Sequence, residues 1–137
     1  MATSGVRVND ESLTAFQELK LRKKHNFIVY TLNNDITEII VERSGTEKYP
    51  EFIATLPRTE CRYAVYDFQF DTKDGVRNKI IFLTWSPDIA KIKNKMLFST
   101  SKDALRRALV GVAIEIQGTD PDEISYETVL EKASRTR

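Results

Sequence analysis

The run Asn78-Lys-Ile-Ile-Phe-Leu-Thr-Trp85 does most to restrict what this 137-residue chain can become. In extended form successive side chains alternate, so Ile81, Leu83 and Trp85 share one face while Ile80 and Phe82 share the other. A strand that is apolar on both faces has to be covered on both sides. The chain must therefore supply a sheet with helices above and below it. A partner strand lies immediately upstream. Cys61-Arg-Tyr-Ala-Val-Tyr-Asp-Phe-Gln-Phe70 is rich in aromatic and β-branched residues, and Lys73-Asp-Gly75 is suited to turn the chain between the two runs.

Phe27–Leu32 and Glu38–Arg43 predict a second strand pair, joined through the polar Asn33-Asn-Asp35. Val112–Gln117 reads as a last strand. Helices account for most of the rest. Asn9 or Asp10 can cap a helix to about Arg22, with Leu13, Phe16 and Leu19 near helical spacing. Pro50 suits the first turn of a short helix from Tyr49 to about Leu56, closed before Pro57. After Ser86-Pro-Asp88, a helical stretch from Ile89 to Phe98 precedes a stronger helix from Ser101 to Val110. There Leu105, Ala108, Leu109 and Val112 form one apolar stripe, and Gly111 ends the helix. Beyond the loop Gly118-Thr-Asp-Pro121, a closing helix runs from Glu123 to about Ser134, and residues 1–8 read as a short arm. The expectation is one mixed α-β domain over residues 4–135, with a central mixed sheet of about five strands sandwiched by helices.

Composition removes several functions. No apolar run approaches the ~20 residues needed to cross a bilayer. The segment Met1-Ala-Thr-Ser-Gly-Val-Arg7 lacks the apolar stretch of a secretory leader, so an unexported, cytoplasmic protein is expected. Cys61 is the one cysteine and His25 the one histidine. They leave no disulfide framework, no thiolate–imidazole zinc set and no obvious nucleophile–base constellation. His25, within Arg22-Lys-Lys-His25, reads as a plain surface histidine, and Asp67 as a structurally hydrogen-bonded acid. No stretch has the D-x-[DN]-x-[DN]-G spacing of a calcium loop. A non-enzymatic protein without cofactor or metal is expected. With 21 basic and 20 acidic residues the net charge is only +1, so any electrostatic function depends on local sorting of charge.

Five segments in order carry a family resemblance. They are Ser4-Gly-Val with Phe16-x-x-Leu19-Lys20 behind it, then Cys61-Arg-Tyr-Ala-Val-Tyr-Asp67, then Trp85-Ser-Pro-Asp88. Lys93-Asn-Lys-Met96 with Ser101-Lys-Asp-Ala-Leu-Arg-Arg107 comes next, then Gln117-Gly-Thr-Asp120. From about Ser4 to Arg135 the chain resembles the actin-depolymerising factor/cofilin family. The resemblance implies that family's homology fold, binding to monomeric and filamentous actin with a preference for bound ADP, severing and depolymerisation of filaments, and a monomer at the actin cytoskeleton. Lys91 departs from the proline that members commonly carry, and the basic nuclear signal of vertebrate members is not evident.

Site residues follow from weighing charge against that resemblance. On the helix from Ser101, Lys102, Asp103, Arg106 and Arg107 lie off the apolar stripe, which by itself describes a solvated face. Lys102 and Arg106 form an i,i+4 like-charge pair that costs a helix a few tenths of a kcal/mol, and Asp103 with Arg107 offsets it only in part. The resemblance makes this ridge an actin contact, together with Lys93, Lys95, Met96, Ser4 and Gly5. Met96 taken alone could be core, and Ser4 and Gly5 taken alone could be a loose arm. Arg77 and Lys79, with Glu131, Arg135 and Arg137, resemble the filament-specific site that touches a second actin subunit. Ser4 matches a serine whose phosphorylation often inhibits family members. Acidic phosphoinositides are an additional partner class for the basic ridges. Nucleic acid is not expected, because no aromatic platform interleaves with the basic residues. A filament-binding domain of the same superfamily that does not sever is the alternative.

Overall fold

The computed structural model describes residues 5–135. In chain order the elements are β1 (Arg7–Val8), α1 (Asp10–Arg22), β2 (Phe27–Leu32), β3 (Glu38–Gly45), α2 (Tyr49–Ala54), β4 (Arg62–Thr72), β5 (Gly75–Trp85), α3 (Ile92–Ala108) and β6 (Ile114–Gly118). A 3₁₀ turn (Pro121–Ile124) then leads to α4 (Tyr126–Arg135). The strands form one six-stranded sheet in the order β1-β3-β2-β4-β5-β6. Both outermost pairs, β1 with β3 and β5 with β6, are parallel; the central pairs are antiparallel.

Two hydrophobic clusters lie on opposite faces of β5, as its double-sided pattern requires. Ile81, Leu83 and Trp85 join Tyr49 and Phe52 of α2 and Val129 and Ala133 of α4. Phe82 joins Phe16 and Leu19 of α1 and Phe98 and Leu105 of α3. Local signals set the element ends. The Asn9 side chain accepts the Ser12 N–H at 2.9 Å and starts α1. Lys73 and Asp74 make the turn between β4 and β5, and Gly75 at φ +114° takes the left-handed conformation that favours glycine.

Three expectations are corrected. The sheet has a sixth strand, because Arg7 and Val8 pair with Glu38 and Ile39 at the open edge of β3. Two residues have no periodicity to read, so this strand exists only through its partner. The two helical stretches around Ser101 are one helix, α3. Ser101 is buried on its core face between Phe98 and Leu105 and does not act as a cap. The Thr100 hydroxyl bonds back to the Met96 and Leu97 carbonyls, at 3.0 and 3.2 Å, so its polar group is satisfied inside the helix and does not end it. The closing helix begins at Tyr126, not Glu123, because Asp120 caps a separate 3₁₀ turn by accepting the Glu123 N–H at 3.0 Å.

Tyrosine burial makes the fold sensitive to alkali. Burial raises the Tyr30, Tyr49 and Tyr63 phenols well above their ordinary value, Tyr66 adding to the effect at Tyr49. Tyr66 is pushed up to about 12, first by burial and then by Asp67, Glu47 and Glu51. A raised acid keeps its proton longer in the folded chain than in the unfolded one. Its stabilisation is therefore complete below the unfolded value of about 10 and is lost as pH climbs toward the folded value. In a spectrophotometric titration these four phenols should ionise together with loss of far-UV circular dichroism, above about pH 10. Phenolate appearing near pH 10 for all four, with the dichroism intact, would contradict this packing.

Candidate functional site

The continuous α3 has two unlike faces. Phe98, Ser101 and Leu105 point to the core, with Leu109 just beyond the helix. On the other side Ile92, Met96, Ser99, Thr100, Asp103 and Arg107 are exposed. Their spacing of three or four residues puts them along one stripe. Ile92 is 75% and Met96 61% exposed, and Ile89 just before the helix is 70% exposed. A groove of about 330 Å³ is lined by Ile92, Lys93, Met96, Leu97 and Thr100. The outward stripe is thus apolar at its start and charged at its end. Met96 is surface, not core.

The charged residues of this helix differ in how tightly the protein holds them. Arg107 and Asp103 have no side-chain hydrogen bond or ion pair among the described residues, so the partial Asp103–Arg107 offset is not formed. Glu115 of β6 supplies the compensation instead, with its carboxylate 2.5 Å from Arg106 Nε and 3.7 Å from Lys102 Nζ. Lys93 is exposed. Lys95 is half-buried and donates to the Asp88 carbonyl at 2.8 Å, bracing the start of α3 against the preceding loop. β1 lies against α3, and Gly5 is two residues before that strand. Gly5 is exposed at φ +72°, and Val6 beside it is buried as an anchor. Ser4 lies outside the described residues.

The second predicted group is drawn together by one lysine. Arg77 is exposed on β5, opposite Phe70 of β4. Lys79 is half-buried, its Nζ 5.8 Å over the Phe70 ring and donating to the Ala133 carbonyl of α4 at 3.0 Å. It satisfies a carbonyl in the last turn of α4, where such groups lack helical partners. Glu131 and Arg135 are exposed on the same helix, and Arg135 borders a cleft with Ala113, Ile114, Glu115 and Lys132. Arg137 lies outside the described residues. Strand end and closing helix thus share a surface, but Lys79 is part of its framework.

His25 is not a plain surface residue. Only 14% of its side chain is exposed, and its Nε2 lies 3.3 Å from Glu18 Oε1. That contact, followed by Lys24, holds the Glu18 carboxyl below the ordinary carboxylate range. Cys61 is buried elsewhere, its N–H bonded to Asn94 Oδ1 at 2.8 Å and its Sγ 3.5 Å from Ser86 Oγ. Asp67 accepts from Lys23 at 2.9 Å and from Asn78 at 3.1 Å, a structural acid as expected. No group of three or more His, Cys, Asp or Glu side chains among the described residues could hold a metal ion. No helix among them is long and apolar enough to cross a membrane. A groove of about 540 Å³ floored by Tyr49, Tyr66, Phe68 and Tyr126 contains none of the predicted residues. Ile89, Ile92 and Glu115 are the surface residues that sequence reasoning missed. Ile92 stands four residues before Met96 within the expected stretch Ile89–Phe98, so helical spacing already pairs them, and the docking of α3 turns that face outward.

An exposed apolar stripe running into unpaired charge, on a helix backed by a covered sheet, describes a module that docks on another protein. The chain belongs to the cofilin/tropomyosin-type actin-binding protein family, whose family model matches residues 5–134. It is 59% identical to a cofilin of Mycosarcoma maydis over 136 residues, covering 98% of each chain. Its fold matches the crystal structure of a Streptomyces griseoflavus cofilin with a TM-score of 0.91 at 51% identity, covering 97% of this chain and 100% of that one. It also matches the crystal structure of Plasmodium berghei actin depolymerization factor 2, with a TM-score of 0.81 at 32% identity over 96% of both.

Proposed function

We propose that this protein binds both monomeric and filamentous actin, prefers ADP-bound subunits, and severs and depolymerises filaments at the cytoplasmic actin cytoskeleton. The observation that carries the reading is the outward face of α3, where Ile92 and Met96 lead into Asp103 and Arg107. A flexible methionine beside an isoleucine suits insertion into an apolar groove of a partner. The arm at Gly5 and the basic residues Lys93, Lys102, Arg106 and Arg107 flank that insertion. Lys95 supports it from the side.

A second contact, through Arg77, Glu131 and Arg135, would engage a neighbouring actin subunit that only the filament presents. A ligand alters a filament only through unequal affinity for its alternative states. If the two-surface grip favours a changed subunit arrangement, decorated and bare stretches mismatch at their boundary, and the filament breaks there without covalent chemistry. Imaging of single filaments with purified protein tests this. Breaks at decorated boundaries are expected; stable decoration without breaks would favour the non-severing alternative. Phosphoinositide headgroups, by occupying the same cations, would compete with actin.

Two variants divide the surfaces. Arg77→Ala is expected to lower filament affinity about tenfold, as for loss of one interface charge pair, while monomer affinity changes less than about twofold. Cosedimentation beside a monomer-binding titration reads this directly, and equal loss in both would merge the two surfaces into one. Ser4→Asp adds negative charge to the arm, in imitation of a phosphate of about −1.5 to −2. It should weaken both forms of binding, and less so at 1 M salt, where the Debye length is about 3 Å, than at 0.1 M, where it is about 10 Å. Wild-type affinity of Ser4→Asp at low salt would exclude a phosphorylation switch at this serine.

A further inference from the structure

Glu115 lies nine residues beyond Arg106 and on a different element, yet its two carboxylate oxygens face both cations of the α3 ridge. Lys102 and Arg106 are one turn apart and repel each other. The carboxylate offsets that repulsion from β6. It does so economically, because its hydrogen bond to Arg106 uses only Nε. A guanidinium presents five N–H donors in a rigid fork. The Nη nitrogens of Arg106 make no hydrogen bond among the described residues, so their N–H donors remain available at an interface.

We propose that Glu115 is a positioning residue for actin binding: it orients Arg106, and secondarily Lys102, before the partner arrives. The proposal rests on the reading of α3 as the actin-contacting helix. Freezing a long side chain at an interface is costly, and a side chain already oriented loses less on binding. Glu115 also subtracts one positive charge from the ridge. The two effects act on different rates. Charge governs the speed of encounter with an acidic surface, whereas fit governs how long the complex lasts.

The test is a rate measurement on the full chain with fluorescently labelled monomeric actin, comparing wild type, Glu115→Gln, Arg106→Ala and the double variant. Glu115→Gln keeps the shape and an acceptor oxygen but replaces a charge-assisted bond with a weaker neutral one. Dissociation should become about fivefold faster, in the range of couplings between contacting residues, while association stays equal or quickens. In the Arg106→Ala background the same change should alter dissociation by less than about twofold, since its main client is gone. Slower dissociation of Glu115→Gln would mean that the carboxylate masks the ridge, and would overturn the proposal. So would equal effects in both backgrounds, which describe a general structural role, or no effect in either. Wild-type binding by Arg106→Ala would remove the ridge reading itself, a failure recognisable without any Glu115 variant.

Discussion

Ile92→Asp combined with Met96→Glu is expected to weaken binding to monomeric and filamentous actin alike, by about a thousandfold. Fully burying one large apolar side chain is worth about 1.5–3 kcal/mol, and placing a carboxylate in an apolar groove adds a desolvation cost. Two such positions together account for about 4 kcal/mol, with tenfold in affinity for every ~1.4 kcal/mol. The fold should survive. Both side chains project into solvent, at 75% and 61% exposure, so no core contact is removed. Asp at position 92 stands in the first turn of α3, where a negative charge suits the helix dipole, and Glu is a good helix former at position 96. Filament cosedimentation and a monomer titration, with circular dichroism as the folding control, measure the effect. A folded double variant that binds within about threefold of wild type would remove α3 from the interface.

Tyr63→Ala should be the most damaging core change, at about 3–5 kcal/mol or more. Tyr63 is fully buried on β4, its ring 4.8 Å from Phe98 and 6.2 Å from Phe82. Its hydroxyl donates to the Phe98 carbonyl at 2.5 Å, which ties the sheet to the middle of α3. Truncation opens a cavity and removes that tie. A domain with about 5–15 kcal/mol in total has little left after such a loss. Tyr63→Phe keeps the ring and gives up only the hydrogen bond, for about 1 kcal/mol. Urea unfolding of the two variants separates packing from hydrogen bonding. A Tyr63→Ala stability within about 1 kcal/mol of wild type would show that the sheet does not depend on this ring. Because Tyr63 supports the helix that carries Met96, even the milder variant should loosen actin binding slightly.

Much of the proposed binding surface is legible in the sequence because helical spacing is local. The stripe of Leu105 and Leu109 places Asp103 and Arg107 outward without reference to the rest of the chain, and the structure has them exposed. Met96 is ambiguous for a related reason. In the stretch Ile89–Phe98 it shares a face with Ile92, but nothing local says whether that apolar face is core or surface. In the continuous α3 it stands outward, one turn after Ile92. The polar pair Ser99-Thr100 looks like a break in the helix, yet both face solvent, and Ser101 is small enough to sit against the core.

The charged residues show where local reasoning ends. Nothing adjacent to Lys79 in sequence says that its ammonium reaches Ala133 of the closing helix, 54 residues away. Nothing adjacent to Arg106 says that a glutamate on another element receives its Nε. A surface cation looks the same in sequence whether it lacks a partner among the described residues, like Arg107, or is already engaged. Periods of two and about 3.6 residues are properties of consecutive backbone, so the sequence alone determined the two-sided β5, its helical covers and the outward placement of Asp103 and Arg107. Partners across the sheet depend on strand order and on where each helix docks. Only the tertiary structure decided that Arg7 and Val8 complete an edge, that Lys79 is framework, and that Glu115 holds Arg106, because each of those contacts joins residues whose separation in the chain carries no signal of their proximity.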